Sequence, residues 1–439
     1  MPKKDKQVFV CKECGFDHPR WEGQCPNCGV WNSLVAMQLA KGSKSIKSKI
    51  SKTIPQSLET IETKSHQRIL TGIHELDRCL GEGFVHDETI LIAGEPGIGK
   101  STLILQVAES LSKFGSVLYV CGEESPHQIK IRAERLKLDP SNIAVYAETN
   151  VSQILDVLAS TNPTLVVIDS IQTMECSDLD STAGSPMQIR ESTLRLIKVA
   201  KEKGIILIIV GHITKEGAIA GPKLLEHMVD AVLYLEGDPD HNLRILRVSK
   251  NRFGNTQEVG VFKMDENGMI GVDNPSMLFL EGKLEGAKGS VICPVMNGNR
   301  CFLLEVQALT APTAFNYPRR TVSGVDINRV LLIIAILSRS CGIDLSHHDV
   351  FVSLAGGVKL KDVGLDLAIG LSLVSSVRNL PLKNDLAAFG EVGLSGEIRS
   401  VNGMGQREKE ATRLGYKDLI EPGSIKSLEQ AVKKSFVQI

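Results

Sequence analysis

Residues 94–101 have the types and spacing of a loop that binds phosphate. Glycines in such a loop let backbone N–H groups turn toward phosphate oxygens at the start of a helix. The lysine is expected to neutralise the β- and γ-phosphates, and the serine hydroxyl to bind Mg²⁺. The pattern predicts a nucleoside triphosphate site rather than a glycine-rich turn without a ligand. The residues Gly94, Glu95, Pro96, Gly97, Ile98, Gly99, Lys100 and Ser101 fit G-x-x-x-x-G-K-[ST] in full, and Thr102 follows them.

Two predicted elements must hold this loop in place. The apolar run before it is typical of a buried strand, and residues 103–108 continue as a helix after it. Similar apolar runs recur between helix-length segments, which indicates an α/β domain with a mostly parallel sheet and helices on both faces. The five predicted strands are residues 90–93, 117–120, 143–146, 165–168 and 205–210.

Polar residues follow three of these strands, at the sheet edge where parallel sheets bind ligands. Asp169 follows the fourth strand and is expected to hold Mg²⁺ through water, as a Walker B carboxylate does. Glu123 and Glu124 follow the second strand, where a carboxylate can orient and deprotonate an attacking water. His212 follows the fifth strand, in the place of a γ-phosphate sensor. An aspartate after a strand is often only a helix cap, but three such positions beside a complete phosphate loop favour hydrolysis over mere binding.

Four cysteines near the N-terminus have the spacing of metal ligands. They form a C-x2-C-x10-C-x2-C pattern, in which a glycine follows each pair. Two such knuckles bring four thiolates to a tetrahedral Zn²⁺. A redox C-x-x-C is the competing interpretation, but it normally uses one motif at a helix start. The predicted zinc ligands are Cys11, Cys14, Cys25 and Cys28. The role of this zinc site could be purely structural.

A basic linker follows the cysteine module. Residues 41–53 carry five lysines and no acidic residue among serines and a glycine, so this stretch is unsuited to a core. Most such runs are solvated tethers, although a basic arm can also contact nucleic-acid phosphates.

The composition is that of an ordinary globular protein. The chain has 439 residues, 42% of them hydrophobic, and a formal net charge of −1. It therefore has room for two or three domains, and any surface for a polyanion must be local. No apolar run approaches the roughly 18 residues of a membrane span, and the N-terminal residues are unlike a secretory signal. We expect a cytoplasmic protein without a membrane partner, in which cysteines stay reduced unless they bind metal.

Several segments resemble the RadA (Sms) family of bacterial DNA-repair proteins, which are relatives of the RecA recombinase. The resemblance implies a DNA-stimulated ATPase that assembles into a homo-oligomeric ring, by analogy a hexamer. It further implies action on single-stranded and branched DNA, with extension of joints made by RecA recombinase through branch migration. The similar segments are residues 25–32, 94–102, 169–173, 211–217, 220–230 and 250–254, the last being Lys-Asn-Arg-Phe-Gly.

The same resemblance assigns roles to individual residues. Lys100 and Ser101 carry over as phosphate and Mg²⁺ contacts, and Asp169 as the Walker B residue. Glu123 carries over as the general base, with Glu124 as the alternative, and His212 occupies the sensor position. The resemblance places Lys250 and Arg252 at a subunit edge, where they reach the neighbour's γ-phosphate. A cation supplied in trans makes hydrolysis depend on assembly, although a basic strand end can also contact DNA phosphates.

Two segments in the last third of the chain, residues 355–359 and 389–399, resemble the proteolytic domain of Lon, which suggests an ATP-dependent protease as a rival. Lon uses a serine activated by a lysine, because an unassisted hydroxyl is a poor nucleophile. This chain has Asp366 at the serine position and Gly405 at the lysine position, so peptidase activity is disfavoured. A ring platform with basic surface for DNA is the preferred role. The candidate DNA contacts are Arg319, Arg320, Arg329, Lys359 and Lys361. An ordinary solvated surface would account for these basic residues about as well.

These observations predict a RecA-like P-loop ATPase core with a small zinc-knuckle module before it and an α+β Lon-protease-like domain after it. A RecA-fold ATPase switch that regulates protein partners is the second rival, because aromatic residues are only 4% of the chain and mark no nucleic-acid stripe. The predicted parts are a zinc finger at 1–35, a linker at 36–65, the ATPase at 66–274 and the catalytically inactive Lon-like domain at 275–439.

Overall fold

A computed structural model gives the conformation of most of the chain. The described residues form two compact units, which are treated separately below. The first comprises the described parts of Met1–Glu236, Leu246–Thr256 and Met264–Ile270, and the second those of Gly237–Ile245, Gln257–Lys263 and Gly271–Ile439. Within this part of the chain, no helix is both long and apolar enough to cross a lipid bilayer. The structure describes residues 7–11, 17–27, 29–38, 68–212, 224–237, 243–314, 317–356 and 360–436.

The N-terminal residues form a small antiparallel sheet. Its strands are β1 (Gln7–Cys11), β2 (Asp17–His18) and β3 (Leu34–Gln38), in the order β2-β1-β3. The register pairs Cys11 with Leu34. This sheet therefore joins the first cysteine to the strand that follows the second cysteine pair.

A nine-stranded sheet carries the phosphate loop. Its order is β12-β11-β10-β9-β4-β8-β7-β5-β6. The six neighbouring strands β9, β4, β8, β7, β5 and β6 run parallel. Strands β4, β5 and β7 are buried along their whole length, as expected where helices cover both faces of a parallel sheet. The strands are β4 (Thr89–Gly94), β5 (Val117–Cys121), β6 (Ile143–Ala147), β7 (Leu165–Asp169), β8 (Ile206–His212), β9 (Ala231–Glu236), β10 (Leu243–Asn251), β11 (Val259–Asp265) and β12 (Gly268–Gly271).

The helices between these strands begin at residues suited to that position. Ser125 forms a capping box with Gln128, and the side chains of Asn150 and Ser185 accept hydrogen bonds from the first turns of their helices. Such caps satisfy N–H groups that lack a partner within the helix. The helices of this unit are α1 (His74–Leu80), α2 (Lys100–Ser112), α3 (Pro126–Arg135), α4 (Val151–Thr161) and α5 (Pro186–Lys203).

The second unit packs helices on a six-stranded mixed sheet. The order is β15-β16-β14-β13-β17-β20, with antiparallel pairing of β13 with β14 and of β14 with β16. Apolar side chains of these strands and of helices α7 and α8 form one buried core. The elements are α6 (Pro275–Phe279), β13 (Ser290–Asn297), β14 (Arg300–Pro312), β15 (Arg320–Ser323), α7 (Ile327–Cys341), β16 (His348–Leu354), α8 (Leu365–Arg378), β17 (Leu386–Ala388), β18 (Glu391–Val392), β19 (Ile398–Arg399), α9 (Met404–Arg413), β20 (Asp418–Ile420) and α10 (Leu428–Ser435).

The predicted fold class is confirmed, and each of the five predicted strands coincides with one of β4 to β8 to within two residues. Strands β9 to β12 were not predicted, because β9 follows no clear helix signal and β10 carries charged residues. The four-part division of the chain stays a prediction.

Glu88, just before β4, is a buried carboxylate with an incomplete set of partners. Its Oε2 accepts a hydrogen bond from the Val85 N–H (3.0 Å), while Oε1 has no hydrogen-bond partner within the described residues. Burial, with a smaller contribution from nearby Asp230, raises the pKa of Glu88 from 4.5 to about 7 against the lowering effect of the Val85 N–H.

This raised pKa predicts that Glu88→Gln stabilises the first unit at high pH. The native state binds the proton more tightly than the unfolded chain, so wild-type stability falls as the pH rises from 4.5 toward 7. The glutamine variant lacks this loss, and its advantage should grow to about 3 kcal/mol above pH 7. Thermal unfolding at pH 5 and pH 8 measures it, with exposed Glu202→Gln as the control. Equal effects at both pH values would contradict the prediction.

Candidate nucleotide site

The phosphate loop connects the end of β4 to the start of α2. Gly97 and Gly99 adopt positive φ values of 77° and 115°, a conformation that favours glycine. A Cβ atom on Gly99 would also lie only 2.4 Å from the Met264 Cε atom, and one on Gly94 would lie 2.5 Å from the Leu235 carbonyl oxygen. The glycines of the motif are therefore required by the backbone path and by close packing.

Lys100 points back into this loop. Its Nζ donates hydrogen bonds to the carbonyl oxygens of Gly94 and Glu95, each at 2.9 Å, and the residue is only 4% exposed. Burial lowers the pKa of Lys100 to about 8, while the carboxylates of Asp169 and Glu123 act in the opposite direction. The ammonium group thus lies inside the loop with two acidic residues nearby.

Asp169, the last residue of β7, lies beside Ser101. Its Oδ2 accepts a hydrogen bond from the Tyr119 hydroxyl at 2.5 Å, and the Ser101 hydroxyl lies near enough to lower the pKa of this carboxylate. Burial raises the pKa of Asp169 above its usual range, although both hydroxyls oppose the rise. A serine hydroxyl next to a buried carboxylate is a donor set that suits a hydrated Mg²⁺, because Mg²⁺ keeps several waters and binds few protein oxygens.

Glu123 lies close to Asp169, because β5 and β7 are neighbours and Cys121 pairs with Asp169. The Glu123 Oε1 accepts a hydrogen bond from the Ser170 hydroxyl and lies 3.2 Å from the His212 Nε2. That His212 contact lacks hydrogen-bond geometry, and neither ring nitrogen has a hydrogen-bond partner among the residues the structure describes. Three strand ends, those of β5, β7 and β8, therefore bring an acid, a hydroxyl and an imidazole together.

Glu124, the alternative general base, faces a different partner. Both of its carboxylate oxygens accept hydrogen bonds from Arg132, at 2.7 and 2.5 Å. Both oxygens of this carboxylate are therefore occupied by guanidinium N–H groups and are not open to an attacking water. This geometry favours Glu123 over Glu124 as the base.

Lys250 and Arg252 lie at the opposite end of the sheet from the phosphate loop. The Lys250 Nζ donates to the carbonyl oxygens of Glu226 and Val229, each at 2.8 Å. The Arg252 backbone N–H donates to the carbonyl oxygen of Asp230, whose own N–H donates to Thr89, the first residue of β4. The loop begins at the other end of β4, about 17 Å away. These two cations are therefore too far away to reach the nucleotide of their own subunit.

Cys11 and Cys25, one from each predicted metal-binding pair, share a small buried cluster with Leu34. Each is 1% exposed. After Cys25 the chain makes a tight turn in which the Gly29 N–H donates to the Cys25 carbonyl at 2.8 Å. The two cysteines and this turn fit a tetrahedral thiolate site. Cys14 and Cys28 lie outside the described residues.

The Lon-like unit has an ion pair where a protease would have its nucleophile. Asp366 in the first turn of α8 is buried and bonds to Arg329 through both oxygens, and it also accepts from the Val392 N–H at 3.2 Å. Ser372, the nearest serine on α8, is buried and donates to the Ile369 carbonyl. A carboxylate neutralised by arginine is unsuited to attack a peptide, which agrees with the absence of the serine–lysine pair from the sequence.

The basic residues predicted to contact DNA differ in availability. Arg329 pairs with Asp366, and Arg320 donates to the carbonyl oxygens of His348 and Leu345. Both side chains are therefore engaged in holding the second unit together. Lys361 is exposed, and Lys359 lies outside the described residues.

Sequence comparisons support each part of this description. Residues 69–156 and 146–275 match the family model described as "ATPase: KaiC", and residues 9–36 match a "Rubredoxin metal binding domain". Residues 327–424 match "Subunit ChlI of Mg-chelatase". Two solved structures are also similar to this chain. The first, an isolated ATPase domain, is 18% identical with a TM-score of 0.42, and the match covers 49% of this chain and 95% of that one. A KaiC-like protein from Pyrococcus horikoshii OT3 is 23% identical with a TM-score of 0.40, covering 47% and 99%.

The fold and the phosphate loop together define a RecA-like P-loop ATPase with a zinc-ribbon module and a Lon-like domain. Near full-length relatives specify the family. "DNA repair protein RadA" of Bacillus subtilis (strain 168) is 47% identical over 96% of this chain and 93% of the relative. The proteins of the same name from Streptococcus pyogenes serotype M1 and Listeria monocytogenes are 46% and 47% identical over 95% and 94% of this chain, and over 93% and 91% of their own lengths. The chain belongs to the RadA family.

Proposed function

We propose that this protein is a DNA-dependent ATPase of DNA repair that processes recombination intermediates. It acts as a ring-shaped translocase, a hexamer by family analogy, and promotes branch migration of strand exchange begun by RecA recombinase. Single-stranded and branched DNA are its substrates, and it acts in the cytoplasm. The observation that carries the ATPase part is the convergence of Lys100, the Ser101–Asp169 pair and Glu123 at one sheet edge.

Each of these groups has a defined part in hydrolysis. Backbone N–H groups of residues 94–102 surround the β- and γ-phosphates, and the Lys100 ammonium neutralises them. The Ser101 hydroxyl and the Asp169 carboxylate would hold Mg²⁺, which would neutralise charge on the phosphate oxygens. Glu123 accepts the proton of the attacking water, and His212 beside it responds to the γ-phosphate.

Lys250 and Arg252 complete the site of the neighbouring subunit. Their place at the opposite end of the sheet from the phosphate loop of their own chain supports a role in trans, where a guanidinium at a γ-phosphate stabilises the charge of the transition state. Hydrolysis then depends on ring assembly, which couples it to a DNA strand that the ring encloses.

The proposed activity is tested on joint molecules made by RecA from labelled single-stranded and duplex DNA. We expect the wild-type protein with ATP to extend the heteroduplex severalfold faster than RecA alone, and the Lys100→Ala protein to give no acceleration. Equal extension with and without the wild-type protein would contradict branch migration. The outcome would then favour the ATPase switch that regulates protein partners.

The N-terminal module is proposed to bind Zn²⁺ through Cys11, Cys14, Cys25 and Cys28. We expect about one zinc ion per chain, since four thiolates complete a tetrahedral site. Cys25→Ser should remove most of this zinc, as measured by elemental analysis of the full-length protein. Cys301→Ser, a change in the Lon-like unit, is the matched control and should keep it. Unchanged zinc content in the Cys25 variant would contradict the assignment.

A further inference from the structure

We propose that Asp230 is a positioning residue for the trans-acting arginine. The inference rests on the proposed role of Arg252 at the neighbour's γ-phosphate and assigns the carboxylate that holds this arginine in place. Asp230 itself touches neither ATP nor water in the reaction.

The Asp230 side chain is held in place by contacts other than the one with Arg252. The residue is 1% exposed, and its Oδ2 accepts hydrogen bonds from the Thr89 N–H (3.1 Å) and the Thr89 hydroxyl (2.7 Å). The Lys201 Nζ, at the end of α5, lies 3.0 Å from the same oxygen and also donates a hydrogen bond to Oδ1 at 3.1 Å. The carboxylate is therefore oriented by the first residue of β4 and by helix α5, and its Oδ1 is shared between Lys201 and Arg252.

Arg252 is held by Asp230 at two points, one on the carboxylate and one on the backbone. Its guanidinium Nη1 donates to the Asp230 Oδ1 at 3.2 Å, and its backbone N–H donates to the Asp230 carbonyl oxygen at 3.1 Å. The Arg252 side chain is nevertheless 56% exposed. One nitrogen of the guanidinium is anchored, while an arginine has five N–H donors in a rigid fork. The exposed remainder is available to a phosphate.

The local charge remains suited to an anion. Asp230 and Glu226 contribute negative charge, as does buried Glu88 when it is ionised, against the positive charges of Lys201, Arg252 and the nearby Lys250. A carboxylate that orients an arginine without cancelling the local positive charge preorganises it for a phosphate, because less side-chain freedom is lost on contact. The same anchor joins Arg252 to β4, the strand that ends in the phosphate loop of its own subunit.

A double-mutant cycle of Asp230→Asn and Arg252→Ala tests this role. Asparagine keeps the size of the side chain and removes its charge. We expect Asp230→Asn to lower kcat for ATP about tenfold or more with KM changed less than twofold, and to have no further effect when Arg252 is already alanine. An equal kcat loss in both backgrounds would overturn the proposal. Wild-type hydrolysis by Arg252→Ala alone would instead contradict the trans role of Arg252.

A mixing experiment separates positioning from a general structural defect. Asp230→Asn subunits keep their own phosphate loop, and Lys100→Ala subunits keep Asp230 and Arg252. Excess Lys100→Ala protein should therefore raise hydrolysis per Asp230→Asn chain severalfold, and no rise would overturn the proposal. Asp178→Asn, which breaks the surface pair with Arg195, is the matched control with wild-type kcat. If Asp230→Asn does not fold, Asp230→Glu takes its place in the same cycle and mixture.

Discussion

Lys100→Ala should lower steady-state ATP hydrolysis by about a hundredfold or more, as expected when a positioned donor to transition-state charge is removed. The Lys100 ammonium lies within the phosphate loop, 2.9 Å from two of its carbonyl oxygens. Alanine leaves the charge of the β- and γ-phosphates without this counterion, so both ATP binding and the chemical step should suffer.

Lys113→Ala is the matched control for this variant. Lys113 follows the last turn of the same helix, α2, and pairs with Glu109 at the surface. Its removal should leave hydrolysis within twofold of wild type, because surface pairs contribute little. Normal turnover by Lys100→Ala would contradict the assignment of the phosphate loop, whatever the control shows.

Glu123→Gln should abolish most hydrolysis while ATP binding persists. A positioned general base contributes about 10²- to 10⁴-fold to the rate, and glutamine keeps the shape of the side chain without accepting a proton. Titration with a fluorescent ATP analogue measures binding, and steady-state phosphate release measures turnover. We expect an unchanged Kd together with a kcat reduced by that factor.

Glu124→Gln tests the alternative general base, because the sequence alone did not decide between Glu123 and Glu124. Its carboxylate is occupied by Arg132 at both oxygens, so loss of its charge should reduce kcat only a few fold through local disorder of α3. A larger loss for Glu124→Gln than for Glu123→Gln would reverse the assignment of the base.

The sequence predicted the polar groups that belong to one continuous motif or that follow a recognisable strand. The phosphate loop is one continuous motif, and Asp169, Glu123 and His212 each follow an apolar strand whose end could be located. Apolar runs also located the main strands of the sheet that carries the phosphate loop, because runs such as residues 165–168 are apolar along their whole length.

Residues that act through long-range pairing were missed. Tyr119 has the pattern of an ordinary buried strand residue, yet its hydroxyl bonds to Asp169, 50 positions further on. Asp230 meets Thr89 across 141 positions, and only the pairing of β4 with β9 brings the two together. A single sequence shows which residues are polar, but the sheet order decides which of them meet.

The measurement that tests the central claim most directly is steady-state ATP hydrolysis with and without single-stranded DNA, at low and high salt. A DNA-dependent ATPase predicts strong stimulation that fades as salt rises, because counterions compete for the phosphates that the protein contacts. The Lys100→Ala protein should stay inactive in all four conditions. Hydrolysis by the wild-type protein that is equal with and without DNA at both salts would contradict the claim and point to a protein client.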